Sequence, residues 1–251
     1  MLHIIVFIGI LLIGLERIIP DQALPKVRHW WVRVVVLNCF QLGILLLGSV
    51  TWEKWFYRWT LFPMRDRVSP ILGAVIVYLV LTFIYYWWHR ARHDINFLWL
   101  TLHQLHHSPQ RIETITSFYK HPVEILANAL LISGVSNVVF GLDATGVAWV
   151  NLFTALAEYF YHMNIRTPQW VGYIIQRPES HRIHHQLGRH YDNFADLPLW
   201  DMLFGTFNNP KTFSGPCGYK PEREAKFLEM LAFRNVNNSL SAHPKKERQS
   251  S

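Results

Sequence analysis

Apolar runs alternate with short polar and aromatic connectors along the chain. Leu2 to Ile19 is apolar until Glu16 and Arg17. Val34 to Val50 and Ile71 to Trp88 carry no charge, and Val123 to Leu142 is separated from Ala144 to His162 near Gly141-Leu142-Asp143. Eighteen helical residues rise about 27 Å, just enough to span a hydrocarbon core. The first run lacks a basic leading region and a small-residue cleavage site, so it reads as an anchor helix. The last two runs contain Asn128, Asn137 and Asn151 and are less lipid-like. They predict a helical hairpin, either spanning or shallow.

The polar stretches set the remaining elements. Pro20 to Arg33 carries Lys26, Arg28 and Arg33 beside Trp30-Trp31, an interface signature. Thr51 to Ser69 is similarly positive, so the positive-inside rule does not fix orientation. Ile71 to Trp88 runs into His89 without a breaker, which predicts one helix leaving the bilayer with His89 and His93 on its end. Asp94 to Leu102 turns the chain and a new helix follows, ended by Ser108-Pro109. Arg111 to His121 reads as irregular, and Pro122 suits a first helical turn. Lys220 to Phe233 predicts a short amphipathic helix. Ser239 to Ser251, with Lys245, Lys246 and Arg248, reads as a disordered tail. The expected fold class is all-α: multi-pass membrane helices under a helical, histidine-rich cap. Its parts are 1–67 (anchor helices), 68–207 (histidine-bearing domain) and 208–251 (polar basic tail).

Composition agrees. Of 251 residues, 51% are apolar and 16% charged, below the roughly 25% charged of soluble domains. The net charge of +7 fits anionic headgroups, and no nucleic-acid motif accompanies it. Cys39 lies in an apolar run, so a disulfide to Cys217 is not expected, and there is no zinc-type cysteine pair.

The chemistry lies in the histidines. His89 and His93 are spaced H-x3-H; His103, His106 and His107, and again His181, His184 and His185, are spaced H-x2-H-H. Positions three and four apart share a helix face, about 5–6 Å between Cβ atoms, which suits imidazole ligands of a metal. Eight imidazoles exceed the four ligands of zinc and the six or so of other first-row metals. Two metals close together are therefore expected. Imidazole alone does not choose among zinc, copper, iron and nickel.

His89 to His93, LHQLHHS from Leu102 to Ser108, HRIHH from His181 to His185 and the closing segment NFADLPLWDMLFGTF from Asn193 to Phe207 resemble the fatty acid hydroxylase superfamily. The likeness runs from about Val68 to Phe207, which makes 68–207 the catalytic domain. It implies an integral membrane protein with a diiron site that uses O2 to hydroxylate or desaturate a lipid, whether fatty acyl, sterol or related. His162, followed by Asn164, matches a further histidine of the family and joins the expected ligands. Glu158 would share its face and either ligate or orient it. His121 and His190 are read with Asn164 as second-shell or substrate-side residues. Asp94, Asp192, Asp196 and Asp201 are candidates to orient imidazoles. His3, His29 and His243 fall outside the constellation.

The implied reaction consumes two external electrons. The chain has no G-x-G-x-x-G motif after a strand and no haem or cysteine-rich electron-transfer segment. A separate donor is therefore expected, such as a ferredoxin or a cytochrome with its reductase. The expected location is a multi-pass membrane protein with the metal site at the cytosolic membrane surface. Trp87, Trp88, Phe97 and Trp99 would surround His89 and His93, and an apolar cavity would run between the third helix and the hairpin, past Gly134 and Ala155. Two other classes remain open: a metal-dependent lipid hydrolase, and a non-enzymatic metal-binding or transport protein. Transport predicts ionisable residues within the spans, whereas these histidines follow the third span.

Overall fold

The computed structural model describes residues 1–237. Among them the chain is all-helical, with one isolated β-bridge between Gln186 and Cys217. The helices are α1 (Leu2–Ile18), α2 (Trp30–Val50), α3 (Trp52–Phe56), α4 (Pro70–Asp94), α5 (Asn96–Leu98), α6 (Pro122–Ser133), α7 (Ala144–His162), α8 (Pro178–His184), α9 (Pro198–Phe204), α10 (Pro221–Glu224) and α11 (Phe227–Leu231). Two π-helical stretches, Trp99–His103 and Gly134–Val139, extend α5 and α6.

Local chemistry starts the long helices. Pro70 opens α4 behind Ser69, whose hydroxyl accepts from the Leu72 N–H, and Pro122 opens α6. Asp143 caps α7 by accepting from the Gly146 N–H at 2.7 Å. Gly141 makes the preceding turn at φ +53°, where a Cβ would meet Thr60 Cγ2 at 2.1 Å.

Among the described residues, three helical stretches are long and apolar enough to cross a membrane: Trp30–Phe56, Pro70–Asp94 and Pro122–Val139. Val36, Leu46, Leu72 and Leu79 lie exposed on these stretches, as lipid-facing positions should be.

The two other apolar runs behave differently. Helix α1 has 17 residues, and its last turn belongs to the cap. Glu16 is buried there, accepting from the Thr114 N–H and hydroxyl and from the Asn164 N–H. Arg17 pairs with Glu113. Helix α7 is the centre of the bundle and buries more than half its residues, from Gly146 to His162. Protein and not lipid surrounds it, which explains its more polar composition. Ala74, Val77 and Leu81 of α4 pack on Val147 and Val150 of α7.

The cap joins distant parts of the chain. Trp30, expected at the membrane interface, is buried with Val34, Leu105, Tyr119, Tyr219 and Met230, while Trp31 is exposed. Residues 208–237, grouped by sequence with the tail, thus contribute to the core under the second histidine cluster. Lys220 to Phe233 forms two short helices, α10 and α11, in place of one. Residues 238–251, with the expected disordered tail, lie outside the described residues.

Candidate metal centre

Nine histidines converge in the cap as two groups. His89, His93, His103, His107 and His184 form one; His106, His162, His181 and His185 form the other. Within each group one ring nitrogen per residue lies within 4.8 Å of all the others. All are buried except the half-buried His89. The groups share a wall where the rings of His107 and His185 stack, centroids 4.2 Å apart.

Four elements bring them together. The end of α4 carries His89 and His93, and the end of α7 carries His162. Helix α8, opened by Pro178, carries His181 and His184, with His185 as its C-cap. The second cluster departs from the expected regular helix. His103 ends a π-helix, and His106 and His107 follow in a turn. The wider π-turn and the break after it direct neighbouring side chains to different groups: His103 and His107 to the first, His106 to the second. A π-turn of this kind often marks a functional site.

Backbone carbonyls orient four of the nine rings. The Nδ1–H of His89 donates to Phe194 O (2.8 Å), that of His184 to Asp192 O (2.6 Å), that of His162 to Glu158 O (2.8 Å) and that of His106 to Tyr119 O (3.2 Å). His103 Nδ1 lies 3.0 Å from Glu124 Oε1, a carboxylate that also pairs with buried Arg92. Fixing Nδ1 in this way leaves Nε2 as the coordinating atom.

The donor set fits metal. His93 and His107 have no hydrogen-bond partner on either ring nitrogen among the described residues, nor does His103 Nε2. Unpaired buried nitrogens in such number are costly unless something binds them. Burial holds His103, His106, His107, His181 and His185 well below the ordinary imidazole value, and neighbouring charges add to the push. His184 is pushed down to about 3 by burial, opposed by its bond to the Asp192 carbonyl. The rings are therefore neutral near pH 7, the state a metal needs.

The other expected residues take structural places. Glu158 orients His162 through its backbone carbonyl, while its carboxylate binds Lys120 Nζ at 2.6 and 2.5 Å. Asn164 ties Gln22 and Arg182 to the end of α7. His121 caps α6 through Nδ1, and its Nε2 meets Leu231 O. His190 lies against His107 and Trp99, centroids 4.9 and 5.3 Å away. Asp192 helps through its carbonyl, its carboxylate binding Arg189 and Asn208. Asp94 pairs with Arg90 on the surface. Of the four aromatics expected around His89 and His93, only Trp99 packs on the centre, against His93 and His107. Trp87 packs at a tilt against Phe204, Trp88 donates to Asn128, and Phe97 is exposed.

The model of the fatty acid hydroxylase family matches residues 74–206, more than half of the chain and a range that includes all nine histidines of the centre. The chain belongs to the fatty acid hydroxylase family. Among its relatives, alkylglycerol monooxygenase of Homo sapiens is 30% identical over 66% of this chain and 38% of its own length. Ornithine lipid hydroxylase OlsE of Rhizobium tropici is 31% identical over 71% of this chain and 52% of its own length. A putative Delta(7)-sterol-C5(6)-desaturase 2 of Arabidopsis thaliana is 28% identical over 76% of this chain and 70% of its own length. The chain thus spans well under two thirds of the first two relatives. No solved structure matches it.

Several residues of this fatty acid hydroxylase centre escaped the sequence reading. Arg92 and Glu124 did, although a lone carboxylate in an apolar run signals a buried partner. Asp201, a sequence candidate to orient imidazoles, does so indirectly: it accepts from the Phe194 and Ala195 N–H groups and so holds the carbonyl that orients His89. Gly218, at φ +70°, lies where a Cβ would meet Pro109 O at 2.1 Å, and its N–H donates to His185 O.

Proposed function

We propose that this protein is a membrane-bound diiron oxygenase that hydroxylates or desaturates a lipid with O2 and external electrons. The single observation that carries the reading is the division of nine neutral imidazoles into groups of five and four, one group for each of two ions. His89, His93, His103, His107 and His184 would hold one iron; His106, His162, His181 and His185 the other. When bound, the irons would supply activation of O2 for attack on a C–H bond. In hydroxylation a C–H bond, O2, two electrons and two protons give C–OH and water. In desaturation the substrate loses two hydrogens, and O2 with the same two electrons and two protons gives two waters.

This chain's own residues position the rings, exclude water and admit the substrate. A cavity of about 30 Å³ bounded by His89, His103, His106, His162 and His181 adjoins one of about 70 Å³ that includes Ile5, Leu45, Ala129 and Ala155. The second meets a cleft of about 240 Å³ between α1 and α2 and one of about 660 Å³ at the opposite end of the bundle. A lipid tail would lie along this path while its reacting carbon approaches the rings. Keeping that path dry limits side reactions. The path differs from the expected one: α1 and α2 form its outer wall, and α4 contributes Tyr85.

The electron donor would be a separate ferredoxin or cytochrome system. We place the histidine face on the cytosolic side, where metabolic reductants are regenerated. Cysteines introduced at positions 95 and 187 should then be labelled from that side.

The deciding experiment is lipid mass spectrometry of membranes from cells grown under 18O2, with the protein or with His185→Ala. A lipid that gains one 18O, or loses two hydrogens only when O2 is present, supports the oxygenase. Product formed without O2 would favour hydrolysis by His-bound metals, and unchanged lipids would favour metal binding alone.

A further inference from the structure

Polar side chains gather within the apolar bundle, beside the histidine-lined cavity and outside the ligand set. Asn151, Thr154 and Glu158 follow one another at helical spacing along one face of α7, four residues short of His162 at the last step. Gln41 of α2 and Asn128 of α6 face the same 70 Å³ cavity from across it, and Lys120 closes its end towards the histidines.

The charges there are already matched. Both oxygens of Glu158 take Lys120, and Glu124 takes Arg92. The neutral groups are not matched. Gln41, Asn151 and Thr154 make no side-chain hydrogen bond among the described residues, and Asn128 uses only its oxygen, accepting from Trp88 at 2.8 Å. Their polar atoms face the cavity and not a protein partner. A wall meant only for a hydrocarbon chain would carry leucine and valine here.

We propose that this cavity is a subsite for an uncharged hydrogen-bonding group of the substrate, such as an ester, amide, ether or hydroxyl. Gln41, Asn128, Asn151 and Thr154 are its specificity-determining residues. The subsite favours a neutral group because its cation and its carboxylate neutralise each other. The two cavities share Tyr85, Lys120, Asn128, Thr154 and Glu158, so a group seated here lies next to the rings. The carbon oxidised is therefore close to the polar group, and remote methylenes of a long tail are not reached. The inference rests on the lipid-oxygenase reading for the identity of the site, but it concerns binding and can be tested without turnover.

The test is photolabelling of the full chain in nanodiscs with three sixteen-carbon diazirine probes: a methyl ester, the free acid and the plain hydrocarbon. Labelled peptides are then mapped. The ester should label the segment around Ala129 and Ala155 and be displaced by unlabelled methyl palmitate, ahead of both acid and hydrocarbon. Gln41→Leu and Asn151→Leu should each reduce the preference of ester over hydrocarbon by about two- to tenfold, the worth of one neutral hydrogen bond. Equal labelling by hydrocarbon would mean that water alone satisfies these side chains, and it would overturn the proposal, as would preference for the acid. Because the wild-type comparison stands alone, a variant that failed to insert would not rescue it. Ester preference without any O2-dependent product would retain the subsite and remove the oxygenase. Product without ester preference would do the reverse.

Discussion

The Nε2 atoms of His89 and His184 face each other at 3.0 Å, although the residues stand on α4 and α8. Each ring has given its Nδ1–H to a carbonyl, Phe194 O and Asp192 O respectively. In two neutral imidazoles both Nε2 atoms are then bare lone pairs, which repel unless a cation lies between or beside them. The folded chain holds them together through helices α4 and α8, so the contact is part of the architecture and points to one metal held by both rings.

The division into two groups predicts the metal count. His185→Ala should lower bound metal from about two ions per chain towards one, since it leaves three ligands in its group against the four usual for a stable site. His184→Ala should weaken the other group less, because four rings remain. Elemental analysis of purified protein checks both. Equal metal content in wild type and His185→Ala would show that the ring does not ligate.

Glu124 should matter as much as a ligand. Glu124→Ala leaves the buried guanidinium of Arg92 without its partner, a change that typically costs about 3–5 kcal/mol. It also frees His103, and loss of such an outer contact lowers metal affinity by about 10- to 100-fold. Thermal unfolding and metal titration of the variant should both shift. A variant with unchanged melting and affinity would remove Glu124 from the centre.

Acid should destabilise the metal-free protein. Burial keeps the His103, His106, His107, His181 and His185 rings neutral well below the ordinary value, and His184 down to about 3. The unfolded chain takes up protons on its histidines from about pH 6.5 downward. It therefore binds more protons than the folded chain, and stability falls as pH falls. For His184 the loss runs from about pH 6.5 to about 3. Each such ring contributes up to about 1.4 kcal/mol per pH unit inside its window. Melting temperatures of metal-free protein should drop between pH 7.5 and 5.5. A flat profile would mean that the rings are hydrated.

Ala155 and Gly134 separate the observed path from the expected one. Ala155 borders the cavity next to the histidines, so Ala155→Phe should lower lipid turnover at least about tenfold with metal content intact, a misplacement cost of the kind positioning effects give. A Cβ at Gly134 meets nothing within 4 Å, so Gly134→Leu should leave turnover unchanged. Equal effects of the two substitutions would contradict the path along α7.

By itself the sequence determined the helical class, the apolar runs that hold the crossing helices and eight of the nine rings, with His162 added by the family resemblance. Those features are local. An apolar run of membrane length has few folds open to it, and H-x3-H or H-x2-H-H spacing declares itself within one turn. Pro122 marked a helix start for the same reason. The tertiary structure decided what local spacing does not encode. Which ring joins which group depends on the π-turn that ends at His103, where helical periodicity fails. The partners of His89, His106, His162 and His184 are backbone carbonyls, and every residue type has one. Whether Leu2–Ile18 and Ala144–His162 face lipid depends on what packs around them: Glu16 is drawn into the cap, and α7 is enclosed by its neighbours. The same holds for Gln41, Asn128 and Asn151, unremarkable single polar residues in three apolar runs until long-range packing turns them towards one cavity.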